Sequence, residues 1–356
     1  MRIGLLGPFS LKARRGNSIR ILLQAEGLWK NSFSDFTLYS YEPSHGTPYP
    51  QEKIGGKFFF KKFPLWQKLE RLSVDIVHAH HYFGAMILKQ PYIVDMPSFM
   101  SLQTESVYSH SGGLFKRRIM RHIFNPLFQK RIEKKVILGA KKVIAASQSI
   151  KSDLIKHIPE LDPEKIAVIY NTVKTEDYPQ SSREDFVIGV SASDFRDPMD
   201  SGCIDTVIEI ALKTKFRFKV AGAAGKGQIK RMSRVSGIEY LGPLPYRDYI
   251  SFLNAISVFL VPYSGFRDFG GSKFKLLEAA ACGLPVVSTS NGAIGFEPLE
   301  ALLIGDTTAQ IIEKLELLKD GARRKQYGAK LREIIRRDYN YVTEARKLIE
   351  IYESVS

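Results

Sequence analysis

The chain has 356 residues, of which 25% are charged and 44% are apolar. This composition excludes a disordered or fibrous chain, and the length predicts two folded domains. The formal net charge of +15 indicates an anionic partner, such as a phospholipid surface, nucleic acid or a phosphorylated substrate.

The chain shows few signals for targeting or for oxidative chemistry. Residues 1–8 are too short and too interrupted by glycine for a signal peptide, and no run of about 18 apolar residues predicts a membrane span. Cys203 and Cys282 lie in apolar surroundings, which predicts no disulfide framework. We therefore expect a protein of the reducing cytoplasm.

Strand and helix patterns alternate through the first half of the chain. A strand is predicted at 2–6, a glycine-containing loop at 14–18 and a helix at 19–28. Further strands are predicted at 36–41, 75–78, 92–95, 142–146 and 165–171. A polar stretch at 174–183 is the predicted linker, so the first domain is predicted to span 1–178.

Two of these strands end in residues that carry chemistry. His78 and His80 point to the same face of one strand, and Asp95 ends the next. We predict that they contact an acceptor substrate. It is equally open that the histidines only fill space in the core and that Asp95 is an ordinary turn residue. Histidines at this spacing also suggest a metal, but no pattern of Cys, Asp or Glu follows them, so no metal site is predicted.

Residues 114–138 have apolar side chains at helical spacing, with Pro126 predicted to kink the helix. Eight Lys and Arg side chains lie between Lys116 and Lys135, and Glu133 is the one acid among them. Such a helix can lie on an anionic membrane, or it can be a core helix with a solvated basic face. No nucleic-acid recognition motif accompanies it, so we predict no nucleic-acid partner.

The alternation restarts in the second half, with strands predicted at 186–190, 216–221 and 238–242 and helices at 203–212 and 246–254. We assign 179–338 to a second domain, and the tail at 306–356 is predicted to be helical. The predicted fold class is α/β, with two doubly wound Rossmann-like domains. Open parallel sheets bind ligands at the carboxyl ends of their strands, which suits a cleft enzyme.

The most informative unit lies at 256–289. A buried strand is followed by Gly270, Gly271 and Ser272, then by a predicted helix at 273–281 and another strand. Unpaired N–H groups at the start of that helix favour an anion such as a diphosphate. Glu278, in the second turn of the helix, can accept hydrogen bonds from sugar hydroxyls. The alternative is an ordinary surface helix with a solvated Glu.

The segment 261–295 resembles the signature of the retaining glycosyltransferases of family four, which have the GT-B fold. The matching residues are Gly270, Lys273 in the place of an Arg, Lys275, Leu277, Glu278, Ala279, Ala281, Gly283, Pro285, Val286, Val287, Ser288, Thr289, Gly292, Ala293 and Gly295. Segments 75–80, 140–147 and 165–173 are similar to motifs of the acceptor domain of that family. The resemblance thus covers nearly the whole chain.

This resemblance implies the GT-B fold, with its two domains facing a cleft and a last helix, at about 339–356, that packs back on the first domain. It also implies transfer of a sugar from a UDP- or GDP-type donor to a lipid-linked or glycan acceptor. The configuration would be retained without a metal or cofactor, and Glu278 would hold the donor ribose. The donor-binding residues would be Gly16, Arg196, Gly222, Gly270, Gly271, Ser272 and Phe274.

The sequence departs from the family pattern at charged positions. The family often has two glutamates eight residues apart, and the first falls on Gly270. Ser201 stands where a diphosphate-binding Lys is usual, so Lys273 and Lys275 are expected to supply the positive charge. A nucleotide-sugar epimerase of the same fold, and a weakened membrane-associated assembly subunit, remain alternatives. We expect peripheral attachment to the inner face of the membrane.

Overall fold

The computed structural model describes residues 1–355 except 13–15, 55–57, 61–62, 65–70, 87, 111–125, 182–183, 198–199 and 264–266. Within the described residues the chain forms two parallel sheets, each with helices packed on it, and one small antiparallel hairpin.

The first sheet has seven strands in the order β3-β2-β1-β6-β7-β8-β9, and all its neighbours pair in parallel. The order reverses between β1 and β6, which is where open parallel sheets form a crevice for ligands. The hairpin of β4 and β5 lies apart from this sheet. The strands are β1 Ile3–Ser10, β2 Phe36–Glu42, β3 Gln51–Lys53, β4 Phe58–Phe60, β5 Phe63–Pro64, β6 Ile76–His80, β7 Tyr92–Met96, β8 Val143–Ala145 and β9 Ile166–Val168.

The second sheet has six parallel strands in the order β12-β11-β10-β13-β14-β15. Its order reverses between β10 and β13, so each sheet offers one crevice of the same kind. The two sheets confirm the predicted α/β class. The strands are β10 Val187–Asp194, β11 Arg217–Ala223, β12 Ile238–Gly242, β13 Val258–Val261, β14 Val286–Ser288 and β15 Leu303–Ile304.

Twelve α-helices are present among the described residues. They are α1 Gly16–Lys30, α2 His81–Ala85, α3 Met100–His110, α4 Pro126–Gly139, α5 Gln148–His157, α6 Ser201–Lys213, α7 Lys226–Met232, α8 Tyr246–Asn254, α9 Phe274–Ala281, α10 Thr308–Leu317, α11 Gly321–Asp338 and α12 Tyr341–Glu353. None of the helices in the described part of the chain combines the length and the apolar character needed to cross a membrane.

Most elements lie where the sequence predicts them, and three differences bear on the site. Helix α1 begins at Gly16, inside the predicted loop 14–18. Strand β10, predicted to end at 190, continues to Asp194, and α6, predicted to begin at 203, begins at Ser201. The basic helix predicted at 114–138 is described only as α4, and its first part lies outside the described residues.

Helix α12 packs on the first domain, against α1. The approach is close because Gly27 has no side chain, and a Cβ built there would lie 2.4 Å from the carbonyl oxygen of Tyr341. Ala345, Leu348 and Tyr352 join the core between the first sheet and α1. The chain therefore completes the first domain after it has formed the second.

Candidate functional site

A cleft of about 490 Å³ lies between the two domains. Its walls come from the carboxyl ends of strands in both sheets and from the residues that follow them. The first domain contributes residues after β1, β7 and β9, and the second contributes residues after β10, β11, β12 and β13. The two crevices predicted by strand order thus open into one cavity.

The segment 267–272, here called the glycine loop, enters the cleft from the second domain but is held by the first. The N–H of Gly271 donates to the carbonyl of Pro97 (3.1 Å), and the amide of Asn171 donates to the carbonyl of Ser272 (2.8 Å). These contacts fix the loop on one side of the cleft, immediately before α9.

The glycine loop does not offer its N–H groups in the way that the sequence suggests. Gly270 donates its N–H to the carboxylate of Asp268 (3.1 Å), while the N–H of Gly271 is used as described above. Both glycines line the cleft, but neither N–H can contact a donor in this conformation. In this conformation the two backbone N–H groups are therefore not available to hydrogen-bond a phosphate, contrary to the expectation from the sequence.

The anion-binding capacity lies one step further along the chain, at the start of α9. In the described part of the chain the N–H groups of Phe274 and Lys275 have no hydrogen-bond partner. Ser272 is buried, lines the cleft, and its Oγ has no partner among the described residues. Unsatisfied donors at a helix start favour a phosphate group.

Lys273 and Lys275 both line the cleft, and each forms an ion pair. Lys273 pairs with Asp268, and Lys275 Nζ lies 2.8 Å from Asp200 Oδ1 and 3.0 Å from the Tyr263 hydroxyl. Burial alone would lower the pKa of Lys275, but the Tyr263 hydroxyl and the Asp200 carboxylate outweigh burial and raise the pKa. Lys275 therefore stays charged at neutral pH.

Glu278 lines the cleft and is bound to the segment that links the domains. The hydroxyl of Tyr178 donates to Glu278 Oε1 (2.8 Å), and the hydroxyl of Tyr246 donates to that of Tyr178 (3.0 Å). Burial and the neighbouring Glu278 carboxylate raise the pKa of Tyr178, which stays a neutral donor. Glu278 is therefore a carboxylate oriented by a fixed partner, not a solvated surface side chain.

The remaining predicted donor residues divide into two groups. Gly16, Gly222 and Phe274 line the cleft, and a Cβ built at Gly16 would lie 3.7 Å from the Phe274 ring. Arg196 does not line it. Its guanidinium pairs with Asp194 at 2.6 Å, and its side chain is 63% exposed. The structure therefore does not place Arg196 where a donor diphosphate could meet it.

The predicted acceptor residues form a buried network in the first domain. Asp95 accepts from the guanidinium of Arg20, with Nε and Nη2 both at 2.9 Å, and His78 Nδ1 lies 2.7 Å from the Tyr352 hydroxyl. Burial would raise the pKa of Asp95, but Arg20 and His80 outweigh burial and hold the pKa well below its ordinary range. The carboxylate is thus a charged partner of Arg20.

This burial weighs against the expected acceptor role, which stays a prediction. His78, His80 and Asp95 are at most 1% exposed, and none of them lines the cleft. The structural alternative describes them better in this conformation, because their polar atoms face each other, Arg20 and Tyr352.

One potential ligand atom from each of His78, His80 and Asp95 lies within 4.8 Å of the others, which is close enough to hold a metal ion. Asp95 is already neutralised by the guanidinium of Arg20. A metal here would add a second buried positive charge beside that guanidinium, at a high desolvation cost. The arrangement therefore favours an ion pair between Asp95 and Arg20 over a metal site.

Several residues in or beside the cleft were not singled out from the sequence. Asp200 and Asp268 reach the site through their contacts with Lys275 and Lys273. Asn171 belongs to a motif similar to the acceptor domain, and its contact with Arg20 (3.0 Å) gave no local signal. Tyr178 has no signal at all, because its partner Glu278 lies 100 residues away.

Comparison with known proteins adds independent findings. A family model described as Glycosyltransferase Family 4 matches residues 13–177. A second, described as Glycosyl transferase-like, matches residues 205–350. Together the two models cover most of the chain.

Solved structures of low sequence identity share the fold. Sucrose-phosphate synthase from Thermosynechococcus elongatus has a TM-score of 0.77 at 14% identity, covering 100% of this chain and 99% of that one. Anabaena HepE in complex with UDP has a TM-score of 0.72 at 14% identity, covering 99% and 100%. WaaG, a glycosyltransferase involved in lipopolysaccharide biosynthesis, has a TM-score of 0.68 at 13% identity, covering 98% and 99%.

A curated relative is similar over a shorter stretch. It is the GDP-mannose-dependent monoacylated alpha-(1-6)-phosphatidylinositol monomannoside mannosyltransferase of Corynebacterium glutamicum, 32% identical over 124 residues. The matched stretch is 33% of this chain and 32% of that protein, so the chain spans about a third of the length of this relative.

Proposed function

Because this chain belongs to the family-four glycosyltransferases of the GT-B fold, we propose that its cleft transfers a sugar from a nucleoside-diphosphate donor to an acceptor hydroxyl. The observation that carries the proposal is the convergence of Glu278, Lys273, Lys275 and the start of α9 on one cavity. These groups match the parts of a nucleotide sugar: carboxylate for ribose hydroxyls, ammonium and N–H groups for phosphates.

The donor would bind with its diphosphate at the start of α9. The N–H groups of Phe274 and Lys275 and the hydroxyl of Ser272 would approach the phosphate oxygens there, and Glu278 would accept from the ribose. A UDP- or GDP-type donor is supported by the relatives: HepE was solved with UDP and with UDP-glucose, and the curated relative depends on GDP-mannose.

Catalysis would rest on stabilising the diphosphate as it departs. Lys273, Lys275 and the positive end of α9 lie where that negative charge develops, and a preorganised charge in a partly buried cleft is worth more than in water. We propose retention of the anomeric configuration without a metal ion. The supporting evidence is the family membership together with these fixed cations.

The acceptor would enter from the first-domain side and would be a lipid-linked or glycan molecule. Helix α4 supports a peripheral membrane contact on that domain, because Phe128 is 53% exposed beside the exposed Lys130, Arg131 and Lys135. The first part of the predicted basic helix, which holds further Lys and Arg residues, lies outside the described residues. We propose that this surface faces an anionic membrane.

Nucleotide-sugar binding and product analysis test the proposal together. Thermal unfolding with UDP-glucose and GDP-mannose should show stabilisation by one of them, about 2.7 kcal/mol at a hundred times its dissociation constant. The bound donor should then be hydrolysed slowly, releasing nucleoside diphosphate and a sugar with the donor configuration. Epimerised nucleotide sugar would favour the epimerase alternative. Binding of neither donor, nor of other nucleotide sugars, would favour an assembly subunit.

A further inference from the structure

The two lysines that the proposed function assigns to the diphosphate are both held by carboxylates. Lys275 lies 2.8 Å from Asp200, which precedes α6, with the two side chains 19% and 12% exposed. Lys273 pairs with Asp268 of the glycine loop, with side chains 12% and 8% exposed. These are partly buried ion pairs, so solvent screens them less than surface pairs.

The charge balance of the cleft follows from these pairs. Among the described residues that line the cleft, Lys273 and Lys275 are balanced by Asp268 and Glu278. Asp200 adds one more negative charge behind Lys275. A cleft without excess positive charge attracts a diphosphate weakly as long as both carboxylates keep their lysines.

We infer that Asp200 and Asp268 are internal competitors of the donor diphosphate. This inference rests on the proposed function. Each carboxylate holds one ammonium group in the structure, and on donor binding the phosphate oxygens would take over the same ammonium groups. When the sugar has left, the carboxylates recapture the lysines and promote release of the nucleoside diphosphate, a step that limits many enzymes.

The geometry allows this exchange without moving the helix that carries the lysines. Lys273 is the N-cap residue of α9 and Lys275 lies in its first turn, and both line the cleft. A phosphate bound by the N–H groups of Phe274 and Lys275 would therefore share one cavity with both lysines. Asp200 and Asp268 lie outside α9, one before α6 and one in the glycine loop.

Titration calorimetry with UDP and GDP tests the inference in the full chain. Asp200→Asn and Asp268→Asn should each bind the nucleoside diphosphate more tightly, on the order of tenfold, because a competing charge is lost beside the phosphate. Uridine and guanosine should bind as in the wild type, since they carry no phosphate. Product inhibition by the diphosphate should strengthen in parallel.

Asp205→Asn is the matched control. Like Asp200→Asn, it removes one negative charge near the start of α6. Asp205, however, is exposed, pairs with Arg231 and does not line the cleft. It should leave diphosphate affinity unchanged, which separates competition from a general change in net charge. Thermal unfolding establishes that each variant is folded, and Asp200→Ser replaces Asp200→Asn if the latter is not.

Two results would overturn the inference in distinguishable ways. If folded Asp200 and Asp268 variants bind the diphosphate as weakly as the wild type or more weakly, the carboxylates position the lysines and do not compete. If the wild type binds neither UDP nor GDP, the proposed function fails and the inference fails with it. If the Asp205 control also binds the diphosphate more tightly, the gain in affinity comes from the change in net charge and not from competition for the lysines.

Discussion

The hydroxyl of Tyr178 donates to the carboxylate of Glu278 at 2.8 Å and so joins the segment between the domains to the cleft. Tyr178 is 2% exposed, so this bond forms away from water. A donor ribose bound at Glu278 would share the carboxylate with Tyr178. The group that we expect to recognise the nucleotide is therefore also part of the contact between the second domain and its linker.

Glu278→Ala should weaken donor binding by about 1–3 kcal/mol, the range for a hydrogen bond to a charged group. It should also lower the free energy of unfolding by a similar amount, because the buried Tyr178 hydroxyl loses its acceptor. Calorimetry and denaturation measure the two effects, with Tyr178→Phe as the control that removes the bond but keeps the carboxylate. Unchanged donor affinity in the Ala variant would contradict the assignment.

Replacing Lys273 and Lys275 together by Gln should abolish transfer while binding of the bare nucleoside stays nearly intact. The reason is that the ammonium groups face the phosphates, and the variant also leaves Asp200 and Asp268 without their ammonium partners. Transfer is followed by release of nucleoside diphosphate, and nucleoside binding by calorimetry. Equal loss of nucleoside and nucleotide-sugar binding would point to a misfolded cleft.

Asp95→Asn should destabilise the first domain by about 3 kcal/mol or more, since it leaves the guanidinium of Arg20, itself 2% exposed, without its charged partner. Chemical denaturation measures this loss. Asp205→Asn breaks an exposed pair and should change the free energy of unfolding by less than about 1 kcal/mol. Equal effects of the two substitutions would show that the buried pair contributes no more than a surface one.

Glu133 gives the protein a stability that depends on pH. It is buried and accepts the N–H groups of Met100 and Ser101, and burial raises its pKa from 4.5 to about 7. Between these values the folded state keeps a proton that the unfolded state releases, so the stabilisation is complete below pH 4.5 and is lost as pH rises to about 7. Glu133→Gln should remove this dependence. Relative to it, the wild type should lose at most about 3 kcal/mol between pH 5 and pH 8, and parallel curves for the two proteins would show that Glu133 does not titrate in this range.

The first domain should bind vesicles that contain anionic lipid, with affinity that falls steeply as salt rises, because charge attraction decays over about 8 Å at physiological ionic strength. Changing Lys116, Arg117, Arg118 and Arg121 to Gln should remove most of this binding and leave donor affinity intact. A flotation assay measures both dependences. Equal binding to neutral and anionic vesicles would contradict the membrane role and would favour a core helix with a solvated basic face at 114–138.

Local patterns in the sequence predicted most of the regular structure. Helix α8 has the bounds that its periodicity indicates, and the strand–loop–helix–strand unit around α9 lies close to its predicted position. These signals are local because helix and strand periods repeat within a few residues. The family membership and the GT-B fold were likewise available from the motif around Glu278.

The partners of the site residues could not be predicted, because they are distant in the chain. His78 is hydrogen-bonded to Tyr352, which lies 274 residues further on, and Lys275 is paired with Asp200, which lies 75 residues earlier and precedes α6. Strand alternation places His78 and Asp95 at strand ends but cannot tell whether a later helix covers them. The motif predicts the two lysines but not the carboxylates that pair with them, and these ion pairs matter most for the proposed function.

The packing of α12 against α1 has a consequence for synthesis of the chain. Leu28 and Tyr352 belong to one core, but a ribosome makes the entire second domain between them. While the second domain emerges, the apolar face of α1 around Ile21 and Leu28 has not yet met its partner helix. The nascent first domain would therefore depend on chaperones or on its own remaining contacts for that interval, and a fragment ending before α12 would carry an open hydrophobic groove that invites aggregation.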